Sequence, residues 1–337
     1  MKNVLFIIIS IFFEFIWAQD SPRRSEGQTL KNITVRNNTE LIDFYRQYSP
    51  FTDPGEYAYL YENLPDSLPE LCNLIRSQFI HPYGELNKFR EQIPRERWNE
   101  MFRYPSVKSI LEGLLSYDSS GIVNNRKPED RLVLICRHNS ILLASILKSR
   151  GIPARVRYGH ATYLIPDFYT SHAITEVWNE IEKRWMLEDP SMDMVDFSQD
   201  KFDFSNDAWL QLQKGEIDPN LYGIPHRYSG MGSIVAKLCG DLASILGTEH
   251  TITKYAPVLD FAFEEDKQLT AENIETLNRI SELMKSIDAN NFSTTQEMGR
   301  ILPDSCTSPE TNVCGSISMS STSPITFRLT SKLAEVA

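Results

Sequence analysis

Of the five cysteines in the chain, Cys136 is the one whose surroundings would activate it. It opens the segment Cys136 to Arg150, in which Ile141, Leu142, Ala144, Ser145, Ile146 and Leu147 give a wide apolar helical face that Gly151 and Pro153 bring to an end. A thiol at a helix N-terminus meets unpaired backbone N–H groups and the positive end of the helix dipole, and both favour the thiolate. A nucleophilic thiolate also needs a base within hydrogen-bond reach and a third group that orients the base. His172 and Asp189 have the spacing to be that pair. If Ile181 and Glu182 form a two-residue turn, Glu180 pairs with Lys183, paired residue numbers sum to 363, and Asp189 falls opposite Ile174. Asp189 is then a diagonal neighbour of His172 on one side of the sheet, at roughly 7 to 8 Å between backbones, close enough for imidazole and carboxylate to meet. A helix that delivers Cys136 onto that face completes a Cys-His-Asp arrangement.

The elements that must hold these groups are legible from pattern. Ala154 to Ile165 predicts a strand rich in β-branched and aromatic residues, His172 to Trp178 a second and Arg184 to Asp189 a third. On the middle strand His172, Ile174, Glu176 and Trp178 share a face. Leu41 to Leu115 is mostly helical and broken by prolines, with apolar residues three and four apart in Leu68 to Phe79 and Ser106 to Tyr117. The turn-rich stretch 120–131 is expected as a surface loop. From Asp200 to Leu246 the pattern is helix with Gly and Pro interruptions, and Thr270 to Ile287 is an amphipathic helix. No internal repeat is present.

The chain has 337 residues, of which 41% are hydrophobic and 23% charged, enough to bury a core in one large or two modest domains. Its formal charge of −11 makes nucleic acid or an anionic membrane a poor partner, because both are bound through clustered cations. Lys2, the apolar run Val4 to Phe13 and Ala18 before the polar Gln19-Asp20-Ser21 predict a secretory signal peptide over 1–18, the alternative being an uncleaved anchor. No run is long enough for a membrane span once that segment is removed. The expected organisation is therefore signal 1–18, a polar lead-in 19–40, one domain over 41–290 with its core at 130–192, and a Ser/Thr-rich tail over 291–337. Export, to a periplasm or beyond the cell, allows disulfides; Cys306 and Cys314 are spaced to pair, and Cys136 is expected to escape pairing with Cys72 or Cys239.

Three blocks carry a resemblance. They are Cys136-Arg137-His138-Asn139-Ser140 leading through the helix to Gly151-Ile152-Pro153-Ala154-Arg155, then Ser171-His172-Ala173-Ile174-Thr175-Glu176-Val177-Trp178, then Arg184-Trp185-Met186-Leu187-Glu188-Asp189-Pro190. Their order and spacing resemble the core of the transglutaminase-like superfamily over about residues 130 to 192. Trp209 to Ile224 and Gly232 to Glu249 are more weakly similar to the C-terminal part of a bacterial secreted subgroup. The resemblance implies an α+β fold: a papain/transglutaminase-like core in which a Cys-bearing helix packs on an antiparallel sheet, with an N-terminal helical part and C-terminal helices. It implies Cys136 as nucleophile, His172 as general base and then acid, and Asp189 as the group fixing the imidazole tautomer. The chemistry would be acyl transfer from a peptide or protein amide to water or an amine through a thioester, with no cofactor and no metal. Where the subgroup often places an acidic or aromatic pair after the nucleophile and a Trp after the histidine, this chain has Arg137-His138 and Ala173.

Other assignments compete. His138, His160, Glu176 and Trp178 are candidate lining residues, with Trp178 alternatively core and Glu176 paired to Arg155 or Arg157. Tyr158, Tyr163 and Tyr169 are either a substrate-facing surface or packing residues. His138, His160 and His172 could alternatively hold zinc, although no paired ligand spacing is present. The rival class is a non-catalytic binding or scaffold module that retains the fold and the three residues.

Overall fold

The computed structural model describes residues 38–249 and 268–288. The expected signal segment, most of the lead-in, and the tail with Cys306 and Cys314 lie outside the described residues. Helix α1 (Asn38–Arg46) begins three residues before the domain start expected at Leu41. It is followed by α2 (Leu68–Ser77), β1 (Phe79–Ile80), α3 (Val107–Tyr117), β2 (Leu132–Val133) and α4 (Cys136–Ser149). Strands β3 (Ala154–Ile165), β4 (Phe168–Asn179), β5 (Arg184–Glu188) and β6 (Phe202–Phe204) come next. Helix α5 (Ser205–Lys214), the short strands β7 (Tyr222–Ile224) and β8 (Tyr228–Ser229), α6 (Met231–Ile245) and α7 (Ala271–Asp288) complete the described part. Among the described residues, no helix is long and apolar enough to cross a membrane.

This is a mixed α+β fold built on one sheet in the order β6-β3-β4-β7-β8, with β5 also paired to β4. All its pairings are antiparallel except β4 with β7. The three-stranded prediction for 154–189 holds, and so does its register: Thr175 pairs with Glu188 and Trp178 with Trp185, each pair summing to 363. The turn itself is wider than predicted. The last pair is Asn179 with Arg184, Asn179 Oδ1 accepts from the backbone N–H of Ile181 and Glu182 at 3.0 Å each, and Lys183 takes a φ of +54°. A side-chain amide that caps two turn N–H groups replaces the last backbone pair.

Side-chain alternation separates the two faces of the sheet. Ala173 and Val177 of β4, with Ala154 and Val156 of β3, join Ile141, Leu142 and Ile146 of α4 and the apolar sides of α2 and α3 in one buried cluster. Ile174, Leu187, Phe197 and Phe204 pack on the other side. Helix α4 therefore covers the face opposite to the one expected to receive it. Two hydrogen bonds fix it there, Ser140 Oγ to the Ala173 carbonyl and Thr175 Oγ1 to the Ser140 carbonyl, each 3.1 Å. Helices α1, α5, α6 and α7 enclose a second core around Trp209, Leu238, Leu242 and Ile280. Between Asp200 and Leu246 the sequence pattern missed β6, β7 and β8, which are two or three residues long and too short for alternation to register.

Two positions are set by glycine. Gly151 closes α4 at φ +72°, with its N–H and that of Ile152 returning to the Lys148 and Leu147 carbonyls. Gly159 sits opposite His172 across β3 and β4, and a Cβ there would come within 2.4 Å of the Asp203 carbonyl on β6. Only hydrogen at that position lets β6 approach β3 so closely.

Candidate active site

Cys136 occupies the first turn of α4, and the residue before the helix, Ile135, supplies no side-chain cap to the first N–H groups. The helix start is held from below by a buried fork. Arg97 Nε and Nη2 donate to Glu100 at 3.0 and 2.9 Å, and Glu100 Oε1 accepts from the Val133 backbone at 2.6 Å. This anchors β2 three residues before the thiol.

His172 stands where the outer edge of β4 has no strand beside it. β7 pairs with Tyr169 and Thr170, β5 pairs from Thr175 onward, and the residues between are left uncovered by either ladder. Thiol and imidazole meet at this opening, although α4 and the His172 side chain start from opposite faces, and each shifts the other's ionisation. Asp189 follows directly on β5 and its Oδ2 lies 2.7 Å from His172 Nε2. An isolated bridge to Met194 holds its backbone.

Asp189 is more fully engaged than the sequence suggested. Oδ2 also accepts from Tyr163 Oη at 2.6 Å, and Oδ1 accepts from Ser191 Oγ at 2.6 Å and the Ser191 N–H at 2.9 Å. These donors fix the carboxylate plane that meets His172 Nε2. Tyr163 and Ser191 were not singled out from sequence for this role. Tyr163 shares the His172 face by alternation, but nothing in the pattern announces that its hydroxyl reaches a carboxylate from another strand.

The electrostatics follow from this contact geometry. Burial opposes ionisation of Cys136, yet the adjacent His172, through charge and hydrogen bond, and His81 outweigh it and hold the thiol well below its ordinary range. Burial likewise disfavours the imidazolium, but Asp189 and the thiolate raise His172 to about 10. Asp189 is held below the usual carboxylate range because His172, Ser191 and Tyr163 outweigh its burial. These shifts favour a thiolate, an imidazolium and a carboxylate in a row.

The shifts predict how stability depends on pH. Unfolded His and Cys titrate near about 6.5 and about 8.5. Below about 6.5 the unfolded pair binds more protons than the native zwitterion, so stability falls as acid protonates the depressed Cys136. Between the two values both states hold one proton and the slope vanishes. Above about 8.5 the unfolded pair is bare while native His172 keeps its proton, so stability is lost as pH rises through about 10. Urea unfolding of wild type, measured against a Cys136→Ser, His172→Gln double variant, should show a difference that is flat across the middle window and declines on both sides. A monotonic difference would deny the ion pair.

The remaining candidates sit elsewhere. His138 is buried beside the backbone of Met101 and Tyr104, and burial pushes it down to about 3. His160, fully buried, lies on the sheet face opposite to His172 by register and packs edge-on against Tyr222 at 5.0 Å; burial holds it at about 3 as well. The alternative zinc set is thus not assembled, and among the described residues no group of three His, Cys, Asp or Glu could hold a metal ion. Glu176 is buried in a network with Arg155 and Arg157 and borders a pocket with Trp185, Leu187 and Phe204 whose lining includes neither Cys136 nor His172, and Trp178 packs on Trp185 at 5.4 Å. Tyr169 stacks on Tyr222 at 4.3 Å. Arg137 is buried too, donating to the Pro105 and Glu249 carbonyls, and Ala173 lies under α4. The departures from the subgroup pattern at 137, 138 and 173 therefore fall in the interior, not on a substrate surface. Cys136 is a free thiol.

His81 was not anticipated at all, and it is a second imidazole near Cys136 that helps hold the thiol down. It follows β1, which pairs with β2 in parallel, and no local pattern links residues so far apart in the chain.

No protein-family model matches the chain, and no curated protein matches it. A crystal structure named as that of a "Putative Cysteine Protease" from Cytophaga hutchinsonii is 19% identical over 40% of this chain, with a TM-score of 0.18. The match spans about half of that chain, 48%. Similarity of this degree assigns neither fold nor activity.

Proposed function

We propose that the protein is a cysteine-dependent acyl-transfer enzyme with a transglutaminase-like core, acting on an amide of a peptide or peptide-like substrate. The observation that carries the reading is His172 beside Cys136 with its Nε2 2.7 Å from the Asp189 carboxylate, an arrangement that holds the thiol well below its ordinary range. In the first half-reaction Cys136 Sγ attacks the carbonyl carbon, the C–N bond breaks, and His172 delivers its proton to the departing amine. In the second, neutral His172 takes a proton from water or an acceptor amine, which attacks the thioester and frees the sulfur. Asp189 stays ionised throughout and stabilises the imidazolium. The apolar run before Ala18 supports an exported location, with residues from about 41 to 290 as the working domain and no cofactor in the cycle.

An activated ester tests this without knowledge of the natural substrate. Incubation with p-nitrophenyl acetate should release nitrophenolate in a burst and leave an acetyl group on Cys136, located by peptide mass, and Cys136→Ala should show neither. Acetyl on lysines alone, with an unmodified Cys136, would favour the non-catalytic binding module.

A further inference from the structure

Acyl transfer at Cys136, the reading on which this inference rests, needs donors for the negative oxygen that forms when sulfur adds to the carbonyl. Helix position supplies one. Cys136 is the first residue of α4, its N–H has no intrahelical partner, and Ile135 brings no cap.

The second comes from a segment more than fifty residues upstream. Phe79 pairs with Leu132 and Ile80 with Val133 in parallel, and the Leu134 N–H reaches the Ile80 carbonyl at 3.1 Å. This ladder carries His81 alongside the two residues that precede the nucleophile. The backbone beyond is a tight turn: the Glu85 and Leu86 N–H groups donate to the His81 carbonyl at 2.9 and 3.1 Å, and Glu85 Oε2 accepts from the His81 N–H at 3.0 Å. The Tyr83 N–H donates to His81 Nδ1 at 3.3 Å. A ring nitrogen that accepts carries no proton, so the neutral imidazole holds its hydrogen on Nε2. That leaves Nε2–H as the ring's free donor, on an imidazole that the β1–β2 ladder sets beside the start of α4 and that lies close enough to Cys136 to favour its thiolate. Arg76 extends the support, bridging Glu85 at 3.9 Å and Asp193 in the loop after Asp189.

The two imidazoles beside the sulfur are built for different work. His172 is backed by a carboxylate and can carry a positive charge through the cycle. His81 is backed by a backbone N–H at Nδ1, which leaves Nε2–H as its one fixed donor. We propose that His81 Nε2–H, together with the Cys136 backbone N–H, forms the oxyanion hole of this site. As the sulfur–carbon bond forms, the carbonyl π pair moves onto oxygen and both donors hold it. When the pair returns, the bond to the leaving group breaks.

Two probes of the same sulfur separate this role from the others. Iodoacetamide is attacked at a tetrahedral carbon and makes no oxyanion, whereas p-nitrophenyl acetate must pass through one. Both rates are read at about pH 8, on the full chain, for wild type, His81→Ala and His81→Gln. His81→Ala should lower Cys136 acetylation by about 10²- to 10³-fold and leave alkylation near the wild-type rate. His81→Gln, which restores an N–H donor, should recover part of the acetylation. Retained alkylation in either variant also shows that the fold and the Cys136–His172 pair survive. Equal losses with both probes would make His81 a partner of the thiolate alone, and unchanged acetylation would make it a bystander; either result overturns the assignment. If wild-type Cys136 reacts with neither probe, the acyl-transfer reading has failed first and the oxyanion role falls with it.

Discussion

Glu176→Ala should destabilise the protein by about 3 to 5 kcal/mol, the cost typical of removing one partner from a buried ion pair. Glu176 Oε2 accepts from Arg155 Nε at 2.5 Å and Arg157 Nη1 at 3.0 Å, and Arg157 continues to Asp241 on α6 at 3.0 Å. All four residues are buried. Burial opposes ionisation of Glu176, but the two guanidinium groups outweigh it and keep the carboxyl below its usual range. With the carboxylate gone, Arg155 and Arg157 keep their charge in a dry environment. Arg155 retains the faces of Trp185 and Tyr45, at 4.4 and 5.1 Å, and Arg157 retains Phe204 at 4.4 Å. Contacts of that kind give about 0.5 to 2 kcal/mol each and do not replace a buried anion. Urea unfolding of the variant should show the loss, and a change below about 1 kcal/mol would mean that Asp241 alone suffices.

The network also explains why Glu176 is a structural residue although it shares the His172 face. It lies four residues along β4 from His172, where β5 already covers the strand edge; the opening at the site ends at Thr175. A carboxylate on the same face is therefore a tie between β3 and β4, and through Asp241 between the sheet and α6. The sheet and the second core are joined at this point.

How far the sequence revealed the site depends on which kind of spacing was involved. The His172–Asp189 relation was legible because a strand has a strict period of two, so one turn assignment fixes every later pair, and it survived a turn wider than predicted. The Cys136 helix was legible from its apolar face and its Gly151 stop. The face on which α4 packs was not, since alternation alone does not say which side of a sheet a helix will cover. It became clear only from Ser140 and Thr175 bonding across to the backbone. His81 was invisible because β1 and β2 are two residues each, too short for any periodicity, and their pairing joins distant segments. Tyr163 and Ser191 show the same limit: a hydroxyl that orients a carboxylate leaves no mark in composition or period. His138 and His160 were over-read, since a histidine on a buried face is ordinarily a neutral packing residue, and burial keeps both of them uncharged.

The central claim is that Cys136 is a thiolate because His172 makes it one. Remove the imidazole, and the larger of the two influences that outweigh burial is gone, with only His81 left to oppose it; the buried thiol should then ionise much nearer the ordinary value of about 8.5. At about pH 5 an ordinary thiol is only about 0.03% ionised. A depressed pKa also weakens the sulfur as a nucleophile, with a Brønsted slope of about 0.4 to 0.5, and the remaining advantage at that pH is still on the order of 20-fold. The measurement is the rate of iodoacetamide alkylation at Cys136, followed by peptide mass from about pH 4 to 9 in wild type and His172→Ala. Wild type should react with a midpoint well below 8.5, and His172→Ala should lose up to about 20-fold at pH 5 and titrate far above wild type, toward 8.5. A wild-type midpoint at 8.5 or higher, or a profile unchanged by His172→Ala, would contradict the Cys136–His172 ion pair and the acyl-transfer chemistry built on it.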